Sequence, residues 1–165
     1  MHEHYAEDFL RTREWRSCTK AVLRHNRRRS FQGGIAMKSV VTGAVLGFLA
    51  VVAGAATGHG PVAGLDSQGM RPILTALRYQ ELGAVMIVIT GLASVLVVSK
   101  AAGFRLAVSS WLFVAGTLLF SFSIYARIIL DFEWLGPVTP IGGLCHMAGW
   151  IALGWAALAV PSRDG

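Results

Sequence analysis

Nine side chains able to carry chemistry stand within or at the edges of stretches that are otherwise apolar: His59, Arg78, Tyr79, Gln80, Glu81, Ser121, Ser123, Tyr125 and Arg127. Ionisable and hydrogen-bonding groups are costly in hydrocarbon and often mark binding sites or ion pathways there. A polar pocket shared by these nine is the sharpest functional expectation. A plainer account competes with it. Arg78 with Glu81 and Arg127 with Asp131 are spaced i,i+3 and i,i+4 to pair in a headgroup layer, and helix serines commonly bond back to their own carbonyls. A second candidate chemistry uses His59 and His146, which could ligate a haem from two helices at similar depth. No spacing motif accompanies them, and Cys145 beside His146 completes no metal pattern. No catalytic residue, metal or cofactor is expected. There is no Walker-type loop, the glycines of 58-GHGPVAG-64 follow no strand, and no Ser-His-Asp or paired-carboxylate arrangement is visible.

The elements that must hold these groups are set by the spacing of charge. The chain has 165 residues, of which 54% are apolar and only 15% charged, and a mean hydropathy of +0.55. Charged residues make up about a quarter of an ordinary globular chain, so a disordered protein, a disulfide scaffold and a large soluble enzyme are all excluded. An uncharged apolar run of about 18 residues suffices to cross ~30 Å of hydrocarbon as a helix. Four such runs exist, predicting spans over about 39–58, 76–99, 106–127 and 140–160. The second is expected to start near Pro72, and the fourth behind a Thr139 cap with Pro140 in its first turn. Lys100–Arg105 reads as a tight loop. The fold class is therefore an all-α integral membrane protein, four transmembrane helices in an antiparallel bundle, since lone strands would leave backbone groups unpaired in lipid.

Nine of the 15 basic residues precede Ser39. With Lys100, Arg105 and Arg163 they place both termini in the cytoplasm, opposite Arg71, Arg78 and Arg127. Residues 1–36 form a basic tail with two readings: a disordered or interfacial segment, or sequence upstream of a start at Met37. A cleaved signal peptide is the minority alternative for the first span. No nucleic-acid partner is expected, because 27-RRR-29 lacks aromatic interleaving and anionic lipid accounts for it equally well. Expected partners are the bilayer and other membrane proteins or a second copy.

Lipid tails remove most of the hydrophobic drive between helices, so small residues must let backbones approach. Gly43, Gly47, Gly54 and Gly58 in the first span, and Gly142 and Gly143 in the fourth, are the expected packing positions.

Four motifs, 54-GAATGHG-60, 75-TALRYQ-80, 111-WLFVAGTLLFSFSIY-125 and 138-VTPIGGLCHMAGW-150, stand in an order and spacing that resembles the family catalogued as domain of unknown function 423. The resemblance covers Met37 to about Leu158. It implies a small four-helix protein of the bacterial inner membrane, and it implies no activity, since the family has none established. The chain departs from the family pattern at Leu82 and Gly83, where an aromatic residue and a histidine are typical. Further departures are Phe122 in place of glycine and His146 in place of an apolar residue. The expected function is that of a structural or accessory membrane component without enzymatic activity. The alternatives are a small oligomeric transporter or channel, and a haem- or quinone-binding subunit of a redox complex.

Overall fold

The computed structural model describes residues 34, 36–59, 64–97 and 99–159. Apart from residues 34 and 36, the basic tail lies outside the described residues, and so do the expectations placed on it. Within them every regular element is helical: α1 (Ala36–His59), α2 (Ser67–Leu96), α3 (Lys100–Ile129) and α4 (Val138–Ala157), with a short 3-10 turn at Glu133–Leu135. Helices α1, α2 and α3, of 24, 30 and 30 residues, are long and apolar enough to cross a membrane. The twenty-residue α4 carries no Asp, Glu, Lys or Arg, but Thr139, Pro140, His146 and four glycines dilute its hydropathy, and it is not among those three.

Three boundaries differ from the sequence expectation, two of them for a capping reason. The second helix starts at Ser67 rather than near Pro72, because the Asp66 carboxylate accepts from Gly69 N–H at 2.8 Å and satisfies an otherwise unpaired donor. Lys100–Arg105 is not a loop. Ser99 caps the segment through Ala102 N–H, and Lys100, Ala101 and Ala102 are good helix formers, so the charges ride on the first turns of α3. The fourth helix starts at Val138, and Thr139 lies inside its first turn without capping it. The far end of α3 is closed by Asp131 at φ 61°, a left-handed conformation that Asp tolerates better than most residues, with Leu130 and Phe132 N–H both bonded to Ala126 O.

Side-chain contacts climb along one helix as they descend along the next. Ser39 meets Gly91 and Gly54 meets Leu77 between α1 and α2, while Ser110 meets Ile87 and Ser121 meets Ala76 between α2 and α3. From α3 to α4, Arg105 meets Trp155, Ser109 meets Gly149, and Ser123 meets Thr139. Glycines set the closest approaches. A Cβ on Gly43 would stand 2.8 Å from Val88 and 3.0 Å from the Ala84 carbonyl. At Gly142 a Cβ would run into the backbone of Leu119 and Phe120, inside the π-helical turn Leu118–Phe122 of α3. A Cβ on Gly47 or Gly54 would make ordinary contacts with Ala84 or Leu77, one on Gly143 would reach only the edge of Phe120 at 3.9 Å, and one on Gly58 would have nothing within 4 Å. Outward faces carry large apolar side chains, Phe48, Val51, Leu144, Met147 and Ile151 among them, as suits lipid rather than water.

Candidate functional site

The nine polar residues singled out from the sequence divide into an outward group and an inward one. His59 ends α1 and is exposed, and Arg78, Glu81 and Arg127 are exposed as well. Tyr79 is exposed too, at 40%, although its ring is tilted against Phe120 at a centroid distance of 4.6 Å and lies 5.6 Å from the His146 ring. Gln80, Ser121 and Ser123 are buried in the bundle. So is the Tyr125 hydroxyl, which has no hydrogen-bond partner.

The inward group is used to join helices. Gln80 Nε2 donates to Leu46 O of α1 at 3.0 Å. Ser121 Oγ donates to Ala76 O of α2 at 2.7 Å. Ser123 Oγ donates to Phe120 O on its own helix and accepts the Thr139 hydroxyl of α4 at 2.8 Å. Two serines that the sequence reading passed over do the same work: Ser109 reaches Gly149 O of α4 at 2.8 Å and Ser110 reaches Ile87 O of α2 at 3.3 Å. Back-bonding within a helix holds for Ser39, Thr90 and part of Ser123; it fails for Ser109, Ser110 and Ser121. Adjacent hydroxyls at 109 and 110 on an otherwise apolar span were the available signal. At the opposite end of α3, Arg105 donates to Trp155 O at 2.9 Å and lies 4.1 Å over the Trp155 ring, so a cation sits on the last carbonyls of α4.

The centre of the inward group is His146, which the sequence placed only as a possible haem ligand beside His59. The structure instead wedges it between α2 and α3, 3% exposed, while His59 is open at the end of α1. Gly116 receives the imidazole against the α3 backbone, and Gly83 leaves room for it and for Thr117. Phe113 flanks the ring at 5.9 Å and Phe120 at 6.4 Å. Neither ring nitrogen, nor the Thr117 hydroxyl, nor Gln80 Oε1 has a partner. Among the described residues no group of three or more His, Cys, Asp or Glu is placed to hold a metal ion.

Residues 53–143, more than half of the chain, match the family model described as protein of unknown function, DUF423. The chain belongs to that family. It is 37% identical over 119 residues to a UPF0382 membrane protein of Haemophilus influenzae, covering 72% of this chain and 92% of the relative. It is 31% identical over 114 residues to UPF0382 membrane protein SH2409 of Staphylococcus haemolyticus, covering 69% and 89%. The UPF0382 membrane protein YwdK of Bacillus subtilis is 30% identical over 121 residues, covering 72% and 94%. No solved structure matches. The protein is accordingly a helical membrane protein of a family whose function is unknown. The DUF423 match takes in Gln80, Gly83, Gly116, Thr117, Ser121, Ser123, Thr139 and Gly142, and it stops three residues short of His146.

Proposed function

We propose that α1 to α4 cross the bacterial inner membrane as an antiparallel four-helix bundle with both termini in the cytoplasm. In that membrane the protein serves as a non-enzymatic structural or accessory component, with lipid and other membrane proteins or a second copy as its partners. One observation carries this reading. Four buried polar side chains, Gln80, Ser109, Ser110 and Ser121, donate to carbonyls of neighbouring helices, whereas Arg78, Glu81 and Arg127 face outward. Interhelical hydrogen bonds in membrane bundles contribute about 0.6 kcal/mol each on average. Several of them, together with glycine contacts, hold a scaffold rather than line a path. The contact order along α3 and α4, and the absence of any charged residue from α4, support a fourth crossing despite its diluted hydropathy. Lys38, Lys100 and Arg105 fall at one end of that arrangement and Arg78 and Arg127 toward the other, and the surplus behind Lys38 favours the cytoplasm for the first end.

A small oligomeric transporter or channel is the second reading, favoured by the unpartnered polar atoms of Gln80, Thr117, Tyr125 and His146 inside the bundle. Reconstitution separates the two. The scaffold reading predicts that vesicles carrying the protein leak protons, potassium and small dyes no faster than protein-free vesicles, and that the protein migrates in native gels as a discrete assembly. Flux above the protein-free rate that disappears in Arg78→Gln or Glu81→Gln, with the fold intact by circular dichroism, would replace it with the transporter reading.

A further inference from the structure

Three buried polar atoms meet where α2, α3 and α4 converge, and none has a hydrogen-bond partner: Thr117 Oγ1 and the two ring nitrogens of His146. The imidazole is positioned by two glycines. A Cβ on Gly116 would stand 2.9 Å from His146 Cδ2 and 3.0 Å from Cγ, so that side of the ring lies on the α3 backbone. A Cβ on Gly83 would lie within 3.2 Å of both His146 Cε1 and Thr117 Oγ1. Cε1 is the ring atom bonded to both nitrogens, so the polar edge of the imidazole is the edge turned toward Gly83 and Thr117. Thr117 confirms the direction from its own side. A helix threonine ordinarily bonds back to its own carbonyls, as Thr90 does to Met86 O at 2.6 Å, but the Thr117 hydroxyl is turned toward α2 instead.

A buried polar group left unpaired costs about 1–3 kcal/mol, and lipid offers no alternative partner outside the bundle. A neutral imidazole presents one donor and one acceptor, and a hydroxyl presents both. A buried water needs two to four such partners, and two can meet on one water here, Thr117 Oγ1 and one ring nitrogen of His146. The charge of the surroundings decides against an ion. The buried polar residues of the described bundle are Ser, Thr, Gln and His, without a carboxylate. The close backbones at Gly83 and Gly116 decide against a large ligand.

We propose that the Gly83–Thr117–His146 junction is a binding site for one small neutral hydroxylic ligand, a water molecule in the membrane-embedded protein, bridging Thr117 Oγ1 to an imidazole nitrogen. The bridge ties α3 to α4, the water donating to the ring nitrogen if it is bare or accepting from it if it carries the proton. The site stands on packing alone and holds whether the protein is a scaffold or a carrier.

The test is nuclear magnetic resonance of the full chain in lipid nanodiscs with 15N-labelled histidine, the His146 signals being assigned by their loss in His146→Gln. Expected are one protonated and one unprotonated ring nitrogen and a transfer peak from water protons to the His146 ring. Thr117→Val abolishes that peak and Thr117→Ser keeps it. A wild-type protein without water transfer to His146, or a peak unchanged in Thr117→Val, overturns the proposal. The wild-type spectrum decides even where a variant fails to fold.

Discussion

The rim and the interior of the bundle use polar residues in opposite ways. On the rim, Arg78, Glu81 and Arg127 point away from the helices and contribute charge to whatever layer surrounds the protein. In the interior, Gln80, Ser109, Ser110 and Ser121 reach across to carbonyls that already serve their own helices. Glycines complete the difference. A Cβ on Gly83, Gly116, Gly142 or Gly149 would press on side chains or backbone of a neighbouring helix, while one on Gly58 or Gly154 would meet nothing within 4 Å. Position relative to the helix contacts, more than residue type, decides whether a polar or small residue matters to the fold.

That contrast can be broken by substitution. The largest effect is expected at Gly142→Ala, where the new methyl meets the backbone of the π turn rather than a movable side chain; overpacking of this kind costs about 3 kcal/mol, measurable as a lowered midpoint of unfolding in mixed micelles. Gly116→Ala, pressed on the His146 ring, is expected to cost about 2 kcal/mol in the same assay, and His146→Ala on that background should recover part of the loss by removing the clash. Gln80→Leu removes one interhelical bond and should cost about 1 kcal/mol. Ser121→Ala should cost about 0.6 kcal/mol. At the small end, Arg78→Gln and Arg127→Gln should stay within about 0.5 kcal/mol of the parent. A rim variant that destabilises as much as Gly142→Ala would dissolve the distinction, and a ladder in the stated order would sharpen it.

The helices were legible in the sequence because intervals between charges of about twenty residues carry a length requirement that few other structures satisfy. Their boundaries were less so. Asp66 and Ser99 cap α2 and α3 ahead of the punctuation that Pro72 and Arg105 offered. Of the six glycines expected to pack in α1 and α4, Gly43 and Gly142 stand at close approaches, whereas Gly83 and Gly116 were not visible in the sequence, since each works with a side chain brought from another helix. The same holds for the site. Spacing along the chain could group Arg78 to Glu81, but only the tertiary contacts show Gln80 turned inward and its neighbours outward, and only they bring Thr117 to His146 across 29 positions of sequence.

The fourth crossing is the claim on which the architecture turns, and cysteine accessibility tests it most directly. In a Cys18→Ser, Cys145→Ser background, single cysteines at Leu65, Ser99, Asp131 and Leu158 are exposed to a membrane-impermeant maleimide in intact spheroplasts. Labelling at Leu65 and Asp131, with Ser99 and Leu158 labelled only after lysis, is the predicted result. Labelling of Asp131 and Leu158 from the same face would show that α4 does not cross, and the four-span bundle would be contradicted.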